Sequence, residues 1–427
     1  MSGTALLAGG IFLAIYALIV MEKIHRTLAA LLGALLMIVV GVVDQGEAFR
    51  SVDFNVIFLL AGMMIIANIT AKTGVFQWLA VEAVRRAGGR PYELLVLTSI
   101  ITAVVSAFID NVTTVVLTTP VTFFVAKRLR VSPVPYLISQ VIASNIGGTA
   151  TLIGDPPNII IGSQFGRDFN DFLLNVAPAA IAALVVYLVF ARWLYREDLQ
   201  AAAEAIAPAE IDRFVDKEQH ITDPRLLRIC FGVLAVTITG FLFSRQLRLE
   251  GATIALAGAV TLMILTREDV HEVLKTVEWP TLFFFVGLFI VVGGVVKAGI
   301  IADLARRALE LTGGRTDLAA MVVLWMSGVL SAIVDNIPYT ITMIPLVQDL
   351  GRAVKIEPLI WALSLGANLG GNATIVGASA NVVVASMSES RGYPITFTHY
   401  LRYGVPATLL TLVVSTAYIW IRYLVLS

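Results

Sequence analysis

Eight apolar runs, at 3–20, 27–43, 54–71, 174–194, 226–244, 249–266, 279–296 and 403–424, punctuate the chain. Each is about 17–20 residues or longer, the length that crosses a bilayer core as a helix. No Lys or Arg precedes the first run, and no small-residue cleavage site clearly follows it, so it reads as a span rather than a removable signal. Four further apolar regions are interrupted. The regions 92–127 and 317–350 carry Asp-Asn at their middles, which predicts the tips of re-entrant hairpins. The regions 135–163 and 358–386 are broken by Gly, Asn and Pro, which predicts crossing helices with unwound centres. The expected fold is an all-α polytopic membrane protein with about ten crossings. These form two inverted repeats of five, each with one hairpin and one broken helix.

Composition agrees with this pattern and removes other classes. Hydrophobic residues make up 58% of the 427 positions and charged residues only 14%. A soluble domain is nearer 45–50% apolar and about 25% charged. Mean hydropathy is +0.86. A soluble enzyme, a disordered chain and a secreted disulfide scaffold are excluded. The 30 basic and 30 acidic residues cancel, so no positive excess points to nucleic acid. The single cysteine, Cys230, allows neither an internal disulfide nor a thiolate metal cluster. His25, His220, His271 and His399 lie in or beside polar stretches, which argues against a histidine metal site in the membrane.

The position of the charges carries more than their sum. Nineteen of the 30 basic residues fall in the loops 21–26, 72–91, 127–133, 192–228, 267–278 and 387–402. That side is expected to be cytoplasmic, with both termini outside. The charged stretch 197–225 divides the repeats 1–196 and 226–427 and reads as a solvated cytoplasmic linker without chemistry. The segments 72–90 and 297–315, each with an Arg-Arg pair and apolar residues at helical spacing, read as interfacial amphipathic helices.

The repeat is visible residue by residue. Residues 54–120 match 279–345 at an offset of 225, including Gly74 with Gly299, Gly88-Gly89-Arg90 with Gly313-Gly314-Arg315, and Asp110-Asn111 with Asp335-Asn336. The match resumes at 223, where Asn145, Gly147-Gly148, Ala150-Thr151, Gly154 and Asn158 pair with Asn368, Gly370-Gly371, Ala373-Thr374, Gly377 and Asn381. A repeat with an odd number of crossings must place its second copy upside down. Inverted repeats with helices broken near the midplane are the architecture of many secondary transporters. Close helix packing would explain the paired glycines but not the paired Asp-Asn.

Three carboxylates, Asp110, Asp155 and Asp335, lie in apolar surroundings. Each costs roughly 2.5–3.5 kcal/mol at a helix centre on insertion scales, so each needs a partner, a cation, a proton or water. A carboxyl protonated in one state and ionised in another can carry a proton. Asp110 and Asp335 can also cap half-helices at the hairpin tips. Asp155 opens Asp155-Pro156-Pro157-Asn158, whose counterpart is Ala378-Ser379-Ala380-Asn381, so the first half brings one extra carboxylate. The expected site combines Asp110, Asn111, Thr113, Asn145, Gly147, Gly148, Thr149, Thr151, Asp155 and Asn158. From the second half it takes Asp335, Asn336, Asn368, Gly370, Gly371, Asn372, Thr374 and Asn381. Sodium, if carried, is expected near Asp110, Asn111, Asn145, Asp335, Asn336 and Asn368.

The run Asn145-Ile146-Gly147-Gly148-Thr149-Ala150-Thr151-Leu152-Ile153-Gly154-Asp155-Pro156-Pro157-Asn158, with the paired Asp-Asn, resembles the ion transporter superfamily. Within it the likeness is to the branch of ArsB-type arsenite/antimonite permeases, NhaD-type Na+/H+ antiporters and the melanosomal P protein, over nearly the whole chain. The resemblance implies a scaffold beside a moving transport domain, secondary transport without a cofactor, and no enzymatic activity. It implies a homodimer and, in the arsenical-resistance branch, a soluble ATPase partner. It places the chain in the cytoplasmic (inner) membrane. Proton-coupled efflux of arsenite or antimonite ranks narrowly ahead of Na+/H+ exchange. Silicic acid efflux ranks third. A dicarboxylate carrier is disfavoured, because a carboxylate at each tip would repel a dianion. Cys230 is predicted near a helix end, which gives thiol capture of arsenic no support. An intramembrane aspartyl protease, echoed by Gly154-Asp155, would not require a duplicated Asp-Asn.

Overall fold

The structure is a computed structural model describing residues 3–21, 23–205 and 221–425. Every regular element among the described residues is helical. Long apolar runs in a bilayer can satisfy their backbone only within the segment, which leaves helices as the solution. The first half contains α1 (Gly3–Met21), α2 (Arg26–Val39), α3 (Gln45–Ser51), α4 (Phe54–Ala71), α5 (Val75–Ala87) and α6 (Pro91–Ser106). It continues with α7 (Asn111–Leu129), α8 (Val134–Thr149), α9 (Pro156–Phe165), α10 (Phe169–Asn175), α11 (Ala177–Leu194) and α12 (Arg196–Ala205). The second half contains α13 (Pro224–Leu242), α14 (Ser244–Leu247), α15 (Gly251–Thr266), α16 (Val270–Lys275), α17 (Trp279–Lys297) and α18 (Ile300–Thr312). After these come α19 (Thr316–Ser331), α20 (Asn336–Leu350), α21 (Ile356–Gly370), α22 (Ser379–Glu389) and α23 (Phe397–Ile419).

Seven described helices are long and apolar enough to cross a membrane, and α2, α6, α15 and α19 are shorter apolar helices. The predicted spans therefore become helices near their expected bounds. α6 and α7 pack on each other and both on α8, as hairpin arms do, and α19, α20 and α21 repeat the arrangement. The broken regions are α8 with α9 and α21 with α22, joined by unwound backbone. Element starts keep the sequence offset: α4, α5, α6 and α7 begin 225 residues before α17, α18, α19 and α20. Gly74 and Gly299, each at φ 80, open α5 and α18 in the left-handed region. Only glycine enters that region freely, so the matched glycines place the two amphipathic helices alike.

Some boundaries differ from the pattern for local reasons. The run 27–43 stops being helical at Val39, because Gly41 takes φ 77 and Asp44 starts α3 with a capping box to Glu47. The run 174–194 is split at Val176, and Pro178 sits in the first turn of α11, where a missing N–H costs nothing. The short helices α3, α10, α14 and α16 are below the length that an apolar run reveals. Of the linker 197–225, residues 206–220 lie outside the described residues. Its beginning is helical and tied to α23, with Arg402 donating to Glu197 at 2.9 Å and Tyr403 to Asp198 at 2.8 Å.

The halves interlock. α4 packs on α15, and α17 packs on α2. A Cβ at Gly62 would lie 2.7 Å from the Ala255 carbonyl carbon, and one at Gly287 would lie 2.6 Å from that of Ala30. Gly62 and Gly287 are 225 apart, as are Ala30 and Ala255, so one close approach is made twice. Small residues let helix backbones meet where lipid supplies no hydrophobic drive.

Candidate functional site

The two hairpin tips are built alike. Asp110 closes the turn after α6 and caps α7, its Oδ1 accepting the Thr113 N–H at 2.9 Å. Asp335 caps α20, its Oδ1 accepting the Ile337 N–H at 3.0 Å. Each cap satisfies a helix donor that would otherwise be unpaired inside the protein. Asn111 and Asn336 then start the helices beyond the tips.

Asp155 joins the two tips. Its carboxylate is fully buried. Oδ2 accepts from Asn111 Nδ2 at 3.0 Å, and Oδ1 accepts from Asn336 Nδ2 at 3.3 Å. Asp155 stands at the N-cap of α9 but makes no side-chain cap bond there, so its oxygens are spent on the hairpins. The first repeat thus supplies a single carboxylate to both halves, at the position where the second repeat has Ala378.

Four asparagines link the broken helices in two equivalent pairs. Asn145 Nδ2 donates to Asn381 Oδ1 at 3.0 Å, and Asn368 Nδ2 donates to Asn158 Oδ1 at 2.7 Å. Asn158 Nδ2 also donates to the carbonyls of Thr149 at 2.9 Å and Thr151 at 2.8 Å. Asn381 Nδ2 serves Gly371 and Thr374, both at 2.8 Å. These side chains replace the helical donors that the breaks remove. Thr151 and Thr374 donate their hydroxyls to the hairpin-turn carbonyls of Ala107 and Ala332. The Thr149 hydroxyl bonds the Asn145 carbonyl at 2.6 Å, and Asn372 Oδ1 accepts from Asn145 Nδ2 at 2.8 Å.

The glycines are places of close approach. A Cβ at Gly147 would lie 2.1 Å from the Ala103 carbonyl oxygen, and at Gly370 it would lie 2.4 Å from that of Gly328. Gly148 and Gly371 face the carbonyls of Gly154 and Gly377, at 2.5 and 2.8 Å from an added Cβ. They hold the broken helix against the hairpin and against its own unwound segment.

The six positions expected around sodium do not form one symmetric group. Asn111 bonds Asn145, at 3.0 Å, and Asp155, whereas Asn368 bonds Asn158. Asp335 turns the other way. Its Oδ2 lies 3.2 Å from Arg26 Nη1 and accepts from Ser379 Oγ at 2.7 Å. Asp110 Oδ2, Asn111 Oδ1 and Asn368 Oδ1 are buried acceptors without a hydrogen-bond partner, and Asn372 Nδ2 is a donor in the same condition. Among the described residues no group of three or more His, Cys, Asp or Glu could hold a metal. The oxygen donors present suit a hard monovalent cation, a proton or a hydroxylated solute.

Two clefts flank this layer. One, of ≈ 330 Å³, is lined by His25, Arg26, Asp335, Ser379 and apolar neighbours, so Asp335 meets an opening. The other, of ≈ 400 Å³, is lined by the corresponding Ser244, Arg245, Leu249, Glu250 and Gly251, and ends at Leu152 and Ile159 without reaching Asp110. Arg26, His25 and Ser379 carry no site signal in the sequence. By sequence Arg26 is one of the charges that set topology, and Ser379 stands where the first repeat has proline. Ser364, whose hydroxyl donates to Asn158 Oδ1 at 2.7 Å, gave no sequence signal. Cys230 is buried in α13, away from these residues.

The family model described as Citrate transporter (CitMHS) matches residues 16–366. The chain belongs to that family. It is 41% identical over 424 residues to an uncharacterized transporter of Mycobacterium tuberculosis, covering 97% of this chain and 98% of that one. It is 33% identical over 509 residues to the P protein of Homo sapiens, covering 99% of this chain and 60% of that protein. The Alcanivorax borkumensis YdaH transporter superposes with a TM-score of 0.62 at 15% identity, covering 98% of each chain, which is a likeness of fold. The family is one of secondary transporters, so the buried Asp–Asn layer lies in a membrane transporter with broken helices and paired hairpins.

The asparagine pairs predict matched defects. Asn158→Leu and Asn381→Leu each strip donors from an unwound segment and remove an acceptor from an amide of the other repeat. Each orphaned buried group costs about 1–3 kcal/mol. Melting of the detergent-solubilised protein is expected to drop similarly in both variants, and an unchanged Tm in either would show that its pair is not formed.

Proposed function

We propose that the protein is a proton-coupled exporter of arsenite or antimonite in the cytoplasmic membrane, carrying the metalloid as its neutral hydroxide. The observation that supports this is the set of unpartnered buried acceptors, Asp110 Oδ2, Asn111 Oδ1 and Asn368 Oδ1. Buried acceptors favour a solute that brings donors or positive charge. A neutral trihydroxide brings three O–H groups. Asp110 and Asp155 are the proton carriers of this scheme, whereas Asp335 already holds Arg26. The family's name carries citrate as a candidate, but a polyanion would approach three carboxylates with Arg26 as the cation hydrogen-bonded beside them. Na+/H+ exchange is the second reading, favoured by the same oxygens acting as ligands.

Everted vesicles separate the two. Arsenite uptake driven by a pH gradient, lost in Asp110→Asn, is the expected result. Dissipation of that gradient by Na+ with no arsenite movement would replace arsenite by sodium. The proposed orientation is checked in a Cys230→Ser background: a cysteine at exposed Lys23 is expected to label from the cytoplasm and one at exposed Arg248 from outside. Labelling from a single face would refute the topology.

A further inference from the structure

We propose that Arg26 is a tethered cation filling the second of two pseudo-symmetric cation seats, so that only the seat at Asp110 takes a cation or proton from solution. The proposal rests on the reading that ions are carried by the buried carboxylates, and it assigns that carriage to one half.

Positions 26 and 251 are the same place in the two repeats. Arg26 opens α2 and Gly251 opens α15, at the offset of 225. Their successors make matched contacts. Thr27 Oγ1 donates to the Pro280 carbonyl at 2.8 Å, and the Ala252 N–H donates to Asn55 Oδ1 at 2.9 Å. Pro280 and Asn55 are again 225 apart.

The chemistry at this place differs between halves. Arg26 Nη1 lies 3.2 Å from Asp335 Oδ2 and donates to Ser379 Oγ at 2.5 Å, with its guanidinium 5.3 Å from the centre of the Phe284 ring. Carboxylate, hydroxyl and ring face together hold one positive charge. At the Asp110 seat the arginine is replaced by Gly251, the serine by Pro156, which has no hydroxyl, and the aromatic ring by Leu59. A Cβ at Gly251 would lie 2.6 Å from Leu59 Cδ1, so that seat is shaped without a side chain. Asp110 is only 4% exposed, and its Oδ2 has no partner. A buried carboxylate without a counter-charge is costly unless a cation or proton arrives. Asp335 has its cation built in; Asp110 must recruit one. The groups facing Asp335 are Arg26, His25, Ser379, Tyr16 and Asp155, and those around Asp110 are Thr113, Asn111 and Asp155.

The experiment titrates full-length protein in detergent with NaCl against choline chloride at constant ionic strength, and separately with acid, counting the Na+ or protons bound in excess of the Asp110→Asn/Asp335→Asn double variant, so that Asp155 and the surface carboxylates cancel. The wild type is expected to bind one, lost in Asp110→Asn. Arg26→Gly, which installs the residue found at the Asp110 seat, is expected to bind two, and Arg26→Lys one. An Arg26→Gly protein that is monodisperse yet still binds one overturns the proposal. If Arg26→Gly does not fold, Arg26→Gly/Asp335→Asn removes both charges together and is expected to restore folded protein binding one. Failure of that pair also overturns it. A wild type that binds neither Na+ nor protons would instead overturn the reading on which the proposal rests.

Discussion

Asp155→Asn is expected to reduce coupled transport to the background of empty vesicles while leaving the protein folded. Asp155 accepts from both hairpin tips, so its charge and its hydrogen bonds can be separated experimentally. An asparagine keeps one acceptor oxygen, and the Asn336 amide can turn to offer its own oxygen to the new NH2. The structural loss is then at most one buried bond, about 1 kcal/mol. The loss of an ionisable group at the meeting point of the repeats is complete. Asp155→Ala is the contrasting case, because it leaves the amides of Asn111 and Asn336 both without that acceptor, and Tm should fall further. Transport by Asp155→Asn at wild-type rate and with unchanged pH dependence would remove Asp155 from the coupling scheme.

Gly147→Ala is expected to be the most damaging single substitution in the fold. Its Cβ would sit 2.1 Å from the Ala103 carbonyl oxygen and 2.5 Å from the Ala103 Cα. Both neighbours are backbone, so no side chain can move aside and α6 must separate from α8. Overpacking a close-packed interior typically costs about 1–3 kcal/mol, and more where backbone must shift. Gly370→Ala, facing the Gly328 carbonyl at 2.4 Å, should behave similarly. Gly232→Ala meets nothing within 4 Å and serves as the control. Comparing monodisperse yield and Tm across the three variants decides the matter. Equal stability of Gly147→Ala and Gly232→Ala would mean that the hairpin and broken helix are not in backbone contact.

The matched glycines have two functions that their spacing alone does not separate. Gly74 and Gly299 are required by a left-handed turn, whereas Gly147 and Gly370 are required by a neighbour's carbonyl. The sequence shows both as repeats at fixed offset. Only the fold shows which term would be lost on substitution.

The helical architecture, the places of the spans, the hairpin tips at Asp110 and Asp335, and the breaks at 150–155 and 371–378 were legible in the chain. They follow from local rules: bilayer length, helix punctuation by Gly and Pro, and the cost of a carboxylate in hydrocarbon. The duplication was legible because both copies retain the same residues at the same turns. The partners of the carboxylates were not legible. Asp155 meets Asn336 across 181 residues, and Asp335 meets Arg26 across 309. Such pairings depend on how the repeats pack face to face, and no periodicity in one segment encodes them. The sequence by itself established three carboxylates in apolar surroundings, two of them equivalent. The tertiary structure made them unequal, because an inverted repeat brings different neighbours to matched positions: an arginine reaches Asp335, two amides share Asp155, and Asp110 Oδ2 is left without a partner.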